Sequence, residues 1–363
     1  MKENLYVDFH VIQSVPPSCV NRDDTGSPKT AVYGGTMRAR VSSQAWKRAM
    51  RKMFDDLFRD ELIGYRTRKV SDLVKNEIVR NNSDITADDA DALSQEILEI
   101  AGVSAGGDKK SVLFFVSNLQ IKRIVEIAIQ YQNDAETDKK KKEKQYKKML
   151  EEALKSSPSV DILLFGRMAA SNPSLNYDAA AQVAHSISTH TISNEYDYFT
   201  AVDDCMDDDD AGAGHLGTVE FNSSSLYRYA TINVKELSKN LTNDELKEAV
   251  RGFAEAFIRS MPTGKQNTFA NRTLPDMVYV ALRTDQPANF AGAFEKPVPA
   301  GDDGYVSKSQ KRLFEYASQV YENYIKKPEK SWTIGCETDD FGSKVNLKEL
   351  LQELENSIND DAE

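Results

Sequence analysis

The chain has 363 residues, 40% of them hydrophobic and 28% charged, which is ordinary for a globular protein able to bury one large core or two smaller ones. No apolar run approaches the roughly 20 residues that a membrane span requires, and the first residues lack the apolar core of a signal peptide, so we expect a cytoplasmic protein without a membrane partner. The cysteines Cys19, Cys205 and Cys336 form no CxxC pair, which argues against a zinc site or a disulfide framework.

The formal net charge of -11 is concentrated in two segments. Residues 203–210 contain six aspartates and no basic residue. Residues 338–363 contain eight acidic residues against two lysines. The rest of the chain is therefore close to neutral, and a local basic surface for nucleic acid is compatible with the total.

The first predicted element is a strand over Leu5–Ser14, because apolar and polar residues alternate there. Pro16 and Pro17 are expected to end it. A polar, turn-rich segment follows over residues 18–24, with Lys29 further on.

Positive charge is then concentrated between Arg38 and Lys52, where six basic residues occur and no acidic one. The alternation of residues 37–41 predicts a strand with the arginines on one charged face. Ser42 and Ser43 supply N-cap hydroxyls, and apolar residues recur at helical spacing from there. The pattern therefore predicts a helix beginning at this point.

The leading turn of this helix suits a polyanion. Lys47 and Arg51 are four residues apart and share a face, as do Arg48 and Lys52. Free N–H groups at a helix N-terminus favour phosphate, and the nearby hydroxyls and the Gln44 amide add further polar groups. This convergence suits a phosphate backbone better than a single small anion. The alternative is an ordinary amphipathic helix with a solvated basic face.

Four motifs in this part of the chain carry a family resemblance. Residues 18–24 (SCVNRDD), Gly34-Gly35, residues 40–44 (RVSSQ) and residues 47–51 (KRAMR) together resemble the CasC family. Those proteins are the repeated backbone subunits of Cascade, the type I-E CRISPR surveillance complex, and belong to the RAMP superfamily. The resemblance extends over most of the chain and is weak in its helical middle. It is strongest in residues 5–54, 160–170 and 195–235.

Helical periodicity dominates from about residue 59 to residue 157 and predicts a helical insertion. Lys139–Lys148 is a lysine-rich run on its last helix. Such runs are usually solvated faces, with a nucleic-acid contact as the alternative.

Residues 159–165 are predicted to form a buried strand that ends at Gly166, Arg167 and Met168. Glycine permits close backbone approach to a ligand, arginine offers a bidentate phosphate contact, and methionine offers an adaptable apolar contact for a base. The alternative is a plain turn at the end of a strand. The CasC resemblance implies that these three residues line the guide RNA.

Residues 178–190 are predicted to form a short Ala-rich helix with His185 and His190. No other histidine, cysteine or acidic cluster lies at ligand spacing. We therefore expect both histidines to pack or to form hydrogen bonds.

A long hairpin is predicted from residues 197–204 and 215–233, with a polar tip at Asp207–Gly214. Tyr198 and Phe199 lie near its base and can wedge against or stack on nucleobases. The alternative is that both rings are buried core residues. The resemblance implies that this hairpin is a thumb that folds over the guide RNA and reaches the neighbouring subunit.

The segment Gly264–Thr268 lacks the residues of a P-loop. Its counterpart in the CasC family lies in the guide groove, which implies that Lys265 contacts phosphate. The other predicted elements are a helix over Asn243–Ser260, a last core strand over Asp276–Leu282, and helices over Lys308–Lys326 and Leu347–Ile358.

The order of these elements is β-α-β-β-α-β with interruptions, which predicts an α+β, ferredoxin-like (RRM-like) fold with one four-stranded antiparallel sheet, a large helical insertion and a projecting β-hairpin thumb. The aromatic signature of RRM domains is absent, so RNA is expected on loops and the basic helix. The predicted domains are an RRM-like palm (1–58 and 158–300) with a thumb (194–226), a helical insertion (59–157), and C-terminal helices with an acidic tail (301–363).

The main hypothesis is a guide-RNA scaffold that needs no metal or other cofactor and has no catalytic residue. Copies would stack head to tail and hold phosphates without reading bases, and the thumb, with Met168 opposite, would displace a nucleotide at regular intervals. The resemblance implies as partners crRNA, target DNA, other copies of the chain, and CasA, CasB, CasD and CasE. The predicted RNA-binding residues are Arg22, Lys29, Arg40, Ser42, Gln44, Lys47, Arg48, Arg51, Gly166, Arg167, Met168, Tyr198, Phe199, Thr200, Lys265 and Gln266.

Two alternatives from other classes stay open. One is a metal-dependent RNase of the RAMP type in which Asp203 and Asp204 hold Mg²⁺, although no general base is evident nearby. The other is a structural filament protein that binds no nucleic acid.

Overall fold

The computed structural model describes residues 4–82, 84–103, 113–169, 172–201, 215–338 and 340–360. The chain divides into two compact units. The first comprises Met1–Met53, Gln182–Lys235 and Val250–Glu363, and the second comprises Phe54–Ala181 and Glu236–Ala249. Within the described residues, no helix is both long and apolar enough to span a bilayer.

The described residues contain twelve strands and eleven α-helices. The strands are β1 (Tyr6–Ser18), β2 (Thr30–Tyr33), β3 (Thr36–Val41), β4 (Gly64–Thr67), β5 (Phe114–Ser117), β6 (Ala181–Val183), β7 (Ser186–Ser188), β8 (Glu195–Ala201), β9 (His215–Asn233), β10 (Met277–Arg283), β11 (Lys330–Ile334) and β12 (Ser343–Lys344). The helices are α1 (Ser43–Leu57), α2 (Val70–Asn81), α3 (Ala87–Ile100), α4 (Asn118–Asn133), α5 (Lys139–Lys155), α6 (Val160–Phe165), α7 (Val234–Ser238), α8 (Asn243–Arg259), α9 (Gln266–Phe269), α10 (Val306–Asn323) and α11 (Leu347–Asp360).

A large, mostly antiparallel sheet has the strand order β12-β11-β10-β1-β9-β7-β3-β2, with β6 and β8 also paired to β9. The predicted combination of helices with an antiparallel sheet is confirmed. The sheet has ten strands in the described part of the chain, against the four that the element order predicted. Its extra strands include β11 and β12, which follow the strand that was expected to be the last.

Strand β1 lies in the centre of this sheet, between β9 and β10. Its apolar residues Val7 and Phe9 are buried, and the Phe9 ring packs 5.7 Å and 5.9 Å from the rings of Phe253 and Phe257 on α8. The alternate residues are buried as well, because helix α10 and residues 290–294 pack against that face. The strand also continues through both prolines, where an irregularity in its pairing removes the need for their missing N–H groups.

Two short elements differ from their predicted type. The apolar run predicted as a strand at residues 159–165 is helix α6, which Ser159 precedes and Gly166 ends with a φ of +79°. The segment predicted as an Ala-rich helix contains strands β6 and β7, and Ile187 of β7 pairs with Arg40 on β3 and with Tyr227 on β9. Pairing within the sheet outweighs local helix propensity here.

The second unit contains helices α2 to α5 where helical periodicity predicted them, together with a two-stranded sheet of β4 and β5. Its core is built from apolar side chains on the inner faces of all four helices. They include Val74, Ile78, Ile97, Ile124 and Leu150.

Candidate nucleic-acid interface

The leading turn of α1 is capped as the sequence predicted. The Ser42 hydroxyl accepts a hydrogen bond from the Ala45 N–H at 3.4 Å, and the Ser42 N–H donates to the Asn21 side-chain oxygen at 2.9 Å. The second bond joins the helix start to the loop that follows β1. Ser42 itself is buried, whereas Gln44 is exposed on the first turn.

One face of α1 is fixed by Trp46, which is 1% exposed. Its indole N–H donates to the Ser186 hydroxyl at 2.9 Å, and the Arg228 guanidinium lies 3.8 Å above its ring. The opposite face presents the predicted cations. Arg48 is exposed, and Lys47 and Arg51 are half-buried.

The loop between β1 and β2 places further cations beside this helix start. Its turn is closed by the Asp23 carboxylate, which accepts from the Thr25 and Ser27 N–H groups at 2.9 Å and 3.0 Å. The Lys29 N–H donates to the Asn21 carbonyl at 2.8 Å. Arg22 and Lys29 make no ion pair with any residue in the described ranges, so both charges are available to a ligand.

Arg40 is held from two sides on β3. Its Nε–H donates to the Thr30 carbonyl at 3.2 Å, and its Nη1 lies 3.3 Å from the Nδ1 atom of His185. A cleft beside it is lined by Asn21, Lys29 and Arg40, together with polar residues of β9. His185 was expected only to pack or to form a hydrogen bond, and its place next to this cation was not predicted.

The segment around α9 packs onto the same loop. A Cβ atom at Gly264 would lie 2.1 Å from the Val20 carbonyl oxygen, so only glycine allows this approach. Burial raises the pKa of the Cys19 thiol, and the charges of Arg22 and Lys265 act in the opposite direction, which places both cations near that thiol. The structure thus gathers Arg22, Lys265 and Gln266 around one loop.

Most of the predicted phosphate contacts therefore share one region of the first unit, which we call the basic loop region. Its members come from the loop after β1, the end of β3, the first three turns of α1 and the start of α9. They are Arg22, Lys29, Arg40, Ser42, Gln44, Lys47, Arg48, Arg51, Lys265 and Gln266.

The aromatic residues of the predicted hairpin are exposed, so the alternative that their rings are core residues is wrong. Tyr198 is 63% exposed and Phe199 is 47% exposed on β8, and Thr200 is exposed beside them. Phe199 pairs with Gly217 on β9, and a Cβ atom there would lie 2.3 Å from its ring. Tyr196, 71% exposed and two residues before Tyr198, was missed although its period-2 spacing gives it the same face.

The hairpin tip at Asp207–Gly214 lies outside the described residues, as do Asp203 and Asp204 of the RNase alternative. Within the described ranges, no group of three or more histidine, cysteine or acidic side chains is arranged to hold a metal ion.

Arg167 requires a correction, because its guanidinium is not available to a phosphate. It is 3% exposed and donates to the carbonyl oxygens of Leu175 at 2.8 Å and Leu154 at 2.7 Å. It also donates at 3.1 Å to the Phe115 carbonyl and the Gln120 side chain. Burial lowers the pKa of Arg167 to about 10, so the group remains charged at neutral pH. Its role is to bind the second unit together.

Gly166 also contacts protein where a ligand was predicted. A Cβ atom there would lie 3.0 Å from the Tyr177 carbonyl oxygen, and the positive φ favours glycine in any case. Met168, in contrast, is 81% exposed, as an apolar contact for a base requires.

Of the two arginines predicted to lie on a charged face of β3, only Arg40 is accessible. Arg38 has no exposed surface and donates to the Ser188 and Phe294 carbonyls at 3.0 Å each, and to the Glu295 carbonyl at 3.2 Å. Arg40, on the same side of the strand, is half-buried. The difference arises because residues 294–295 cover only one end of β3.

A family model and two solved structures each match nearly the whole chain. A family model described as CT1975-like protein matches residues 7–359. A solved chain from a "CRISPR RNA-guided surveillance complex, pre-nicking" is 33% identical with a TM-score of 0.81, and the match covers 97% of this chain and 100% of that chain. Another, from a "CRISPR RNA-guided surveillance complex", is 28% identical with a TM-score of 0.61 and covers 96% and 99% respectively. Among curated proteins no match was found.

Proposed function

The chain belongs to the CT1975-like protein family, and from this membership we propose that it is a subunit of a Cascade-type, crRNA-guided surveillance complex. Both solved chains described above come from CRISPR RNA-guided surveillance complexes and match it over almost their full length. We assign it the CasC-type role, in which a non-catalytic subunit binds the guide RNA and presents it for pairing with target DNA.

The observation that carries this proposal is the composition of the basic loop region. Arg22, Lys29 and Arg48 lie beside the capped start of α1 and form no ion pair with any other residue in the described ranges. Of the two carboxylates of the loop, Asp23 is bound by the N–H groups of its own turn, and Asp24 is exposed. Several elements thus contribute cations and N–H groups to one region, as binding of the phosphates of an RNA backbone requires.

Contacts of this kind position a nucleic acid without reading its sequence. Lysine and arginine side chains and helix N–H groups contact phosphate oxygens, which every nucleotide shares. A protein that accepts any guide and delegates target recognition to base pairing needs this property. The proposal therefore requires similar affinity for guides of different sequence.

Assembly follows from the same proposal. We assign the hairpin of β8 and β9 as the thumb, whose exposed Tyr198 and Phe199 would displace a guide nucleotide, and we assign β1, α1, β9, α8 and β10 to a ferredoxin-like core. Head-to-tail stacking would give an open filament along the RNA. The remaining partners in this role are CasA, CasB, CasD, CasE and target DNA.

A double substitution of Lys47 and Arg51 to alanine tests the phosphate contacts. Affinity for single-stranded RNA should fall by a similar factor for guides of different sequence, because phosphates are common to all of them. The dependence of log Kd on log salt should flatten by about 1.4, or about 0.7 for each cation removed. Fluorescence anisotropy across a salt series measures both quantities.

A matched control removes two exposed lysines outside the basic loop region, Lys311 on α10 and Lys348 on α11. That variant should keep both the affinity and the salt slope of the unmodified chain. A loss of affinity restricted to particular guide sequences would contradict backbone recognition, and equal losses in both variants would place the RNA elsewhere.

A further inference from the structure

His185 occupies an unusual place beside the cations of the basic loop region. It lies in the link between β6 and β7, and the pairing of Ile187 with Arg40 fixes this link against β3. The imidazole Nδ1 is 3.3 Å from Nη1 of Arg40. The charged groups whose fields act on it are Arg40 on β3 and Lys29 on the loop before β2.

The chemistry of this contact allows one protonation state. A guanidinium has only N–H donors, so the imidazole must accept at Nδ1 and carry its single proton on Nε2. A protonated imidazole has no acceptor and would face two positive charges. His185 is exposed, yet partial desolvation, followed by the charges of Arg40 and Lys29, lowers the pKa of His185 and so favours the neutral form near neutral pH.

The neutral imidazole constrains Arg40 from the side opposite its other partner. The Nε–H of Arg40 is bound to the Thr30 carbonyl and its Nη1 to His185, so the guanidinium plane is fixed at two points. Nη2 has no hydrogen-bond partner among the described residues and is left to bind an oxygen ligand. A guanidinium held in this way loses less side-chain entropy when it binds a phosphate.

We propose that His185 is a positioning residue for RNA binding, which as a neutral hydrogen-bond acceptor orients Arg40 toward a backbone phosphate. This inference rests on the proposed function and adds a residue and a pH dependence to it. RNA affinity should therefore fall when His185 is protonated. This loss of affinity is expected because protonated His185 can no longer accept a hydrogen bond from Arg40.

The test measures binding of the full chain to a labelled, mixed-sequence single-stranded RNA at about pH 8 and about pH 5.5. For the unmodified chain we expect affinity to weaken as pH falls and His185 becomes protonated. His185→Gln, whose amide oxygen can accept from Arg40 but does not titrate, should bind well at both pH values. His185→Ala should bind about fivefold more weakly than the unmodified chain at pH 8. The affinity of this variant should not weaken further at the lower pH, because it has no imidazole to protonate.

A double-mutant cycle separates positioning from direct contact. In an Arg40→Ala background, His185→Ala should cause no further loss, because its effect passes through the guanidinium. Additive losses would overturn the proposal. A rise in the affinity of the unmodified chain on acidification would also overturn it, since a rise is expected of an imidazolium that contacts phosphate itself.

The proposed function can fail independently. If the unmodified chain binds no RNA, or the Lys47 and Arg51 double variant binds as well as it does, the RNA role is wrong. If that double variant loses affinity while His185→Ala binds like the unmodified chain, only the positioning role of His185 is wrong.

Discussion

Arginine side chains serve two different purposes at the scale of single residues. Arg38 and Arg167 are each at most 3% exposed, and each donates to several backbone carbonyls around it. Burying a charge is costly unless its N–H groups are satisfied, so these guanidiniums hold segments of backbone together. Arg22 and Arg48 are exposed and have no ion pair among the described residues, as ligand contacts require.

Substituting Arg167 with methionine should separate these purposes. Removing the guanidinium leaves several buried carbonyl oxygens without a donor, so we expect the free energy of unfolding to fall by about 3 kcal/mol or more. RNA affinity of the folded protein should stay the same. Urea denaturation and RNA titration of one preparation measure the two quantities.

The control for this variant is Met168→Ala, one residue further along the chain and exposed. Its free energy of unfolding should change by less than about 0.5 kcal/mol. Weaker RNA binding by Arg167→Met at unchanged stability would instead support the phosphate contact predicted from the sequence.

The sequence predicts those features of the candidate site that depend on neighbouring residues better than it predicts contacts between distant segments. The N-cap at Ser42 and the cationic face after it follow from spacing alone, and both are found. Burial of Arg38 depends on residues 294–295, more than 250 positions away, and no local pattern carries that information. The contact of Arg40 with His185 is of the same kind, since it requires β7 to pair with β3.

At the scale of elements, length determines how well a pattern is interpreted. Strand β1 and helices α8, α10 and α11 are long and periodic, and they are found within a few residues of their predicted bounds. Helix α6 is six residues long and apolar except for Asp161, and periodicity cannot distinguish such a short run from a buried strand. Strands β6 and β7 are three residues each and are specified by their neighbours in the sheet.

The exposed rings of the β8–β9 hairpin carry the prediction at this scale. Replacing Tyr198 and Phe199 together with alanine should remove regular gaps in the nuclease protection of bound guide RNA, because no ring is left to displace a nucleotide. Stability should change little, since both rings are exposed. Nuclease footprinting of assembled complexes provides the measurement.

Tyr324→Ala is the matched control, because Tyr324 is also an exposed tyrosine, at 84%, and lies outside the hairpin. Its footprint should equal that of the unmodified protein. Regular gaps that persist in the hairpin variant would refute the thumb assignment.

At the scale of the whole molecule, a buried polar group in the central sheet couples stability to pH. The Asp8 carboxylate accepts from the Tyr229 hydroxyl at 3.1 Å and from the Ala288 N–H at 2.9 Å, yet burial raises the pKa of Asp8 to about 6. Beside it, His10 is stacked 4.4 Å from Phe290, and burial lowers the pKa of His10 to about 3. The fold therefore favours a neutral form of both groups.

These two shifts predict opposite slopes of the unfolding free energy against pH, which nearly cancel between about pH 4 and pH 6. The folded pKa of Asp8 lies above its unfolded value, so its contribution is fully present below about pH 4 and is lost as pH rises through 6. The folded pKa of His10 lies below its unfolded value, so stability is lost as pH falls below about 6.5. Asp8→Asn should remove the Asp8 contribution, about 3 kcal/mol in total, so the unfolding free energy of the variant should rise with pH across this range.

Urea denaturation at a series of pH values measures this difference. The comparison is the slope of the unfolding free energy between about pH 4 and pH 7, with and without the carboxyl group. Equal slopes in the two proteins would show that Asp8 titrates normally in the folded state. If the unfolding free energy rose with pH more steeply in the unmodified protein than in Asp8→Asn, the charged form of Asp8 would be the stabilised one.

The central position of β1 has a consequence for biosynthesis. Val7 pairs with Ile232 and Leu282, so this apolar strand leaves the ribosome more than 200 residues before either of its neighbours. At about 5–20 residues per second, the delay lasts roughly 10 to 45 s. During translation the nascent N-terminus therefore presents an unpaired hydrophobic segment that invites chaperone binding, and any transcript truncated before β9 would yield a product prone to aggregate.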